Sequence, residues 1–223
     1  HSNLLWISDG HSRYFENLIA LRAGVPDEKA YLGDVSATLQ QYLRTPGRFE
    51  QSANESSFDE WIQPDGDRHQ NASVSIYPKG EMIGLAMDLM LRKESGGKKS
   101  LADVHRGLWQ KHKVVQGGFT EADVLALLQQ VSGRSWQDFW QRYVVGTEEL
   151  PVLALLKDAG LEWQADKKPD DGKPYYWTGL SLAPGSDAEF AVVAGVEKDS
   201  PAWNAGITAG DVLVSVNGFR VTA

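Results

Sequence analysis

The sequence predicts a mainly α-helical bundle followed by a small β-rich unit. Three observations carry this reading. Apolar residues recur every three or four positions over the first two thirds of the chain. Helix starts of the form hydroxyl-x-x-acid repeat in the same region. Beyond residue 175 the apolar period shortens to two. A chain of 223 residues with 42% hydrophobic and 23% charged residues has an ordinary globular composition, which excludes disorder, collagen and a simple coiled coil. The net charge of −8, with no dominant basic patch, excludes a nucleic-acid partner. No run approaches the length of a membrane span, so none is expected. The absence of cysteine removes disulfides, thiolate metal sites and cysteine nucleophiles. It leaves the compartment unknown, cytoplasm or periplasm.

Each element has its own signal. Leu4 to Ala23 carries Leu5, Tyr14, Phe15, Leu18, Ile19 and Leu21 on a helical period, stopped by Gly24. Pro26-Asp27 opens a second helix with the stripe Tyr31, Val35, Leu39, Tyr42 and Leu43, ended by Thr45-Pro46-Gly47. Residues 47–76 are polar apart from Phe58, Trp61 and Ile62, and Ser73 to Tyr77 alternates like a short extended piece. Pro78 suits the first helical position, where its missing N–H costs nothing. The helix it opens runs to about Glu94, stops at Gly96-Gly97 and is apolar nearly all round, as expected of a buried central helix. Ser100-x-x-Asp103, Thr120-x-x-Asp123 and Ser135-x-x-Asp138 start three further helices, each with a hydroxyl cap and an acid suited to the positive helix end. A last helix spans about Leu150 to Ala159. Trp136, Phe139 and Trp140 are read as core.

Residues 165–174 are charged and rich in breakers, as a linker is. They divide a helical unit, 1–164, from a β unit, 175–223. Trp177 to Leu182, Phe190 to Val196 and Val212 to Val216 read as strands, and Asn217-Gly218 as a hairpin turn.

The run from Ser200-Pro201-Ala202 through Ala205-Gly206-Ile207 to Gly210-Asp211-Val212-Leu213, followed by Val216-Asn217-Gly218, resembles a PDZ domain. The resemblance places Thr178 to Leu182 at the carboxylate-binding loop and first groove strand. Gly179, Leu180, Ser181 and Leu182 are thereby the candidate peptide-binding residues, with amides for a C-terminal carboxylate and a strand edge for an extended peptide. Read without it, Gly179 is a turn and Leu180 and Leu182 are core. The helix and closing strand that complete a PDZ domain are not in the sequence, so the β unit is expected to be a partial one.

Leu4-Leu5-Trp6-Ile7-Ser8-Asp9-Gly10-His11-Ser12-Arg13-Tyr14-Phe15 is similar to a segment of the glycyl-aminopeptidase-like gluzincin metallopeptidases. Ser75 to Gly80, Gly96 to Val104 and Tyr143 to Pro151 resemble the same family, in order. These are zinc enzymes with a thermolysin-like catalytic domain followed by a PDZ domain. The resemblance implies that the helical unit is the C-terminal part of that catalytic domain. It implies that Asp9, where the family has Glu, is a zinc ligand, and that Tyr77 is the catalytic hydrogen-bond donor to the tetrahedral intermediate. It also implies the two remaining ligands and the base of an HExxH motif. That motif is not in the sequence and is expected upstream of His1. Zinc is therefore expected in a full-length parent and not in this chain alone, because catalytic zinc needs three protein ligands.

The expected function is hydrolysis of N-terminal peptide bonds in that parent. The partners are a peptide or protein substrate and a C-terminal peptide at the PDZ groove. The alternative is an inactive pseudo-peptidase serving as a peptide-binding module. It is motivated by Asp9, one methylene shorter than Glu, and by His11, also off the family pattern. Two residues along a helix turn His11 away from Asp9, so the two are not expected at one metal. His105, Trp109 and His112 share a helix face and are read as surface. Asn71-Ala72-Ser73 fits a glycosylation sequon, a pattern common by chance.

Overall fold

A computed structural model describes residues 2–62, 70–113, 118–164, 176–183 and 190–221. The expected linker falls outside the described residues. Trp6–His11 forms a π-helical turn that runs unbroken into α1, Ser12–Arg22. A π turn pushes its peptide groups outward and is a frequent feature of functional sites. Asp27 caps α2, Glu28–Leu43, by accepting the Ala30 N–H at 2.7 Å. A short 3₁₀ turn, Pro46–Phe49, leads to α3, Ala53–Asp59.

The central element is α4, Ile76–Ser95, closed by Gly96 in the left-handed conformation. Most of its side chains are buried, as its all-round apolarity requires. Its start differs from expectation. Ser75 is the cap, and Pro78 sits within the first turn, where no N–H partner is lost. The extended piece expected at Ser73 to Tyr77 is accordingly not a strand. Around α4 lie α5, Leu101–His112, and α6, Glu121–Ser132. Both start in full capping boxes, Ser100 with Asp103 and Thr120 with Asp123. The third expected cap differs. Helix α7, Gln137–Trp140, is preceded by Trp136, and Ser135 Oγ only accepts the Gln137 N–H at 3.2 Å. A second π turn, Gln141–Val145, and α8, Val152–Asp158, complete the helical part.

One apolar core joins these helices, with Trp6, Trp136, Trp140, Met82 and Met87 fully buried. Asp88 is buried inside it and fully used. It accepts from the Tyr14 hydroxyl at 2.7 Å, from Arg92 Nε at 2.5 Å and from the Leu101 N–H at 2.6 Å. A buried carboxylate survives only with such partners.

The β part has strands β1, Leu180–Leu182, β2, Ala191–Val196, and β3, Val212–Leu213, paired antiparallel in the order β1-β2-β3. Helix α9, Pro201–Asn204, packs Ala202 against Val193 and Val196 in a small second core. The last expected strand breaks at Val214. Its remainder, β4, Ser215–Val216, pairs with β5, Phe219–Arg220, across Asn217-Gly218, both at positive φ as a tight hairpin turn demands. No helix among the described residues is long and apolar enough to cross a membrane.

Candidate functional site

The π turn and α4 touch at two glycines. A Cβ on Gly10 would lie 2.4 Å from Gly80 Cα, and one on Gly80 would lie 2.4 Å from the Trp6 carbonyl oxygen. Only hydrogen fits at either position, so the two backbones pass in direct contact. The π turn is held on its other side by α3, where Trp6 donates its N–H to Ser57 Oγ at 3.0 Å and its indole N–H to Asn54 Oδ1 at 3.3 Å.

This contact brings Asp9 and Tyr77, far apart in sequence, to one open recess of about 600 Å³. Ser12, Arg13, Asp34 and Gln41 line it with them. Tyr77 is 44% exposed at the first turn of α4. Asp9 is partly buried, and the loss of solvent raises its carboxyl above the usual range. Behind the recess Glu81 is 1% exposed, with Arg13 Nε 3.1 Å from its carboxylate but without the alignment of a hydrogen bond. Burial pushes Glu81 up and Arg13 pulls it back.

His11 lies on the opposite side of the π turn. Its ring is buried over Gly84, with Nδ1 2.9 Å from His105 Nε2. Burial lowers both imidazoles, His105 to about 4, so the pair is neutral at pH 7 and one ring donates its N–H to the other. The surface reading of the His105 face is thus corrected for His105, which is half-buried with its ring against those of His11 and Phe15. It holds for Trp109, which is 69% exposed.

Among the described residues no group of three His, Cys, Asp or Glu side chains is placed to hold a metal ion. Asp9 alone does not fit a catalytic zinc, which needs three protein ligands.

In the β part Gly179 has φ of 75°, and a Cβ there would meet Ser200 Cβ at 2.1 Å. The loop is anchored by its carbonyls. Thr178 accepts the Ala202 N–H at 3.0 Å and Gly179 the Glu197 N–H at 2.8 Å. The Leu180 N–H donates to Thr178 Oγ1 at 3.3 Å, so a ligand carboxylate must displace a hydroxyl there. Leu180 packs on the small core, whereas Leu182 is 48% exposed. Two residues with no signal in the sequence line the recesses, Gln41 and Arg44 of the α2 end. Only the packing of α2 beside α4 places them there.

A helical body with a carboxylate and a phenol at one recess is followed by a small β unit with a Gly-initiated strand edge. Comparison with known proteins gives a likeness for each part. Residues 1–83 match the family model of the M61 glycyl aminopeptidases, and residues 192–222 that of PDZ domains. The chain is also similar to the crystal structure of an aminopeptidase N family protein from Idiomarina loihiensis, at 30% identity and a TM-score of 0.78. That likeness covers 100% of this chain and 39% of the other, so the chain spans well under half the length of its structural relative. None of the curated proteins matches it.

Proposed function

We propose that the protein is a zinc-dependent aminopeptidase in which this chain supplies the oxyanion donor and one metal ligand. The observation that supports this is the shared recess of Asp9 and Tyr77. Asp9 supplies a carboxylate, and the remaining ligands and the base come from residues outside this chain. A zinc held by Asp9 together with ligands from outside this chain would polarise the scissile carbonyl and activate water. The part derived from this chain is the Tyr77 step. Tyr77 lines the recess, and its hydroxyl donates a hydrogen bond to the oxygen that becomes negative as water adds. Such a bond strengthens in the transition state and lowers the barrier there. Gly179 to Leu182 offer a peptide groove.

The test is made on the full-length protein. It should contain zinc and release N-terminal residues from peptides. Tyr77→Phe should lower kcat by about 10²-fold while KM changes little, as for loss of one oxyanion donor. Asp9→Ala should lose zinc. A protein with neither zinc nor hydrolysis is instead the pseudo-peptidase, a reading favoured by the short reach of Asp9. Activity gained by Asp9→Glu would establish that reading.

A further inference from the structure

A second recess, about 690 Å³, lies where the β part meets the helical body. One wall is the loop Thr178 to Ser181. The other comes from the end of α2 and the start of α4, with Gln41, Arg44, Thr45 and Pro78. Polar contacts set the wall spacing. Arg44 Nε lies 3.7 Å from Glu197 Oε1, Asn71 donates to Thr208 Oγ1 at 3.2 Å, and Lys198 sits 4.4 Å over the Phe49 ring.

This recess adjoins the one that holds Asp9 and Tyr77. Gln41 lines both, and the consecutive residues Tyr77 and Pro78 line one each. Strand β1 is the outer strand of its sheet, so an extended chain can pair along its second edge. Arg44 is a cation on the wall facing the Gly179 loop. Its contact with Glu197 is long and both groups are partly exposed, so that ion pair is weak and screened by solvent.

We infer that this cleft is the carboxyl-side half of a substrate channel. It holds the free α-carboxylate end of the same oligopeptide whose amino-terminal bond lies at Tyr77, with Arg44 and the Gly179 loop reading that carboxylate. The inference rests on the peptidase reading above and adds the substrate class: oligopeptides with an unblocked C-terminus. The peptide groove then serves the substrate and not a separate partner. A second macromolecule docking at the β part would not need Gln41 or Arg44.

The experiment compares two oligopeptides that differ only by C-terminal amidation, on the full-length protein. The free acid should show at least a tenfold higher kcat/KM, carried by KM. Arg44→Gln should bring the acid down to the level of the amide, whereas a merely structural role for Arg44 would lower both in proportion. Equal kcat/KM for acid and amide in the active enzyme overturns the inference. If nothing is hydrolysed, the peptidase reading fails, and binding decides the carboxylate site separately. Trp177 lines the cleft, and its fluorescence, with Trp177→Phe as optical blank, should respond to the acid and not the amide, and lose that response in Arg44→Gln. An equal response to both peptides overturns the site.

Discussion

Gly10 and Gly80 decide how closely the π turn approaches α4, and hence where Asp9 stands relative to Tyr77. Adding one methyl group at Gly80 forces backbone against backbone, with no flexible side chain to give way. Gly80→Ala should therefore cost about 3 kcal/mol, the upper end of overpacking, read as a lowered urea midpoint. Lys79, beside them, is 1% exposed and donates to the carbonyls of Arg48 and Gln51 at 3.2 and 2.9 Å. Burial pushes its ammonium down to about 8. Between pH 8 and the ordinary lysine range the unfolded chain holds a proton that the folded chain lacks, so stability rises with pH across that window. The gain should be about 2 kcal/mol between pH 8 and 10 by urea unfolding, and should vanish in Lys79→Met. Above pH 10 the buried phenols of Tyr14 and Tyr42, both raised by burial, act in the opposite sense.

At the scale of elements, the helices with strong apolar periods were legible in the sequence, and α3 was not. Its seven residues bury mainly small side chains, Ala53, Ser56 and Ser57, which leave no apolar stripe. The signal was the cap. Ser52 and Glu55 form a full capping box, with Ser52 N–H to Glu55 Oε2 at 2.8 Å and Glu55 N–H to Ser52 Oγ at 3.1 Å. Ser52→Ala should cost about 1 kcal/mol in thermal unfolding. Ser135→Ala should cost less, because Ser135 is not the helix cap. The π character of the site turn has no sequence signature either, since it follows from packing Trp6 and His11 inward together.

At the scale of the whole molecule, the two cores differ greatly in size. The helical core runs through α4 and every helix packed on it, while the β core rests on Val193, Val196 and Ala202. Their junction is polar, and polar junctions between units permit relative motion. Amides of Val193 and Val196 should therefore exchange with solvent at least tenfold faster than those of Met82 to Met87 under native conditions, measured by hydrogen exchange. Equal protection would mean that the two cores open as one cooperative unit.

The sequence by itself determined the order of the helices with apolar stripes, the central place of α4, the hairpin turn and the family likeness. These depend on local periodicity, caps and turn residues, which each segment carries alone. Only the tertiary structure decided that Asp9 and Tyr77 share a recess, that His105 is half-buried against His11, and that Gln41 lines two adjoining recesses with Arg44 at one of them. The physical reason is that such neighbours are set by backbone contact between distant segments, here through glycines whose missing side chains leave no pattern to read.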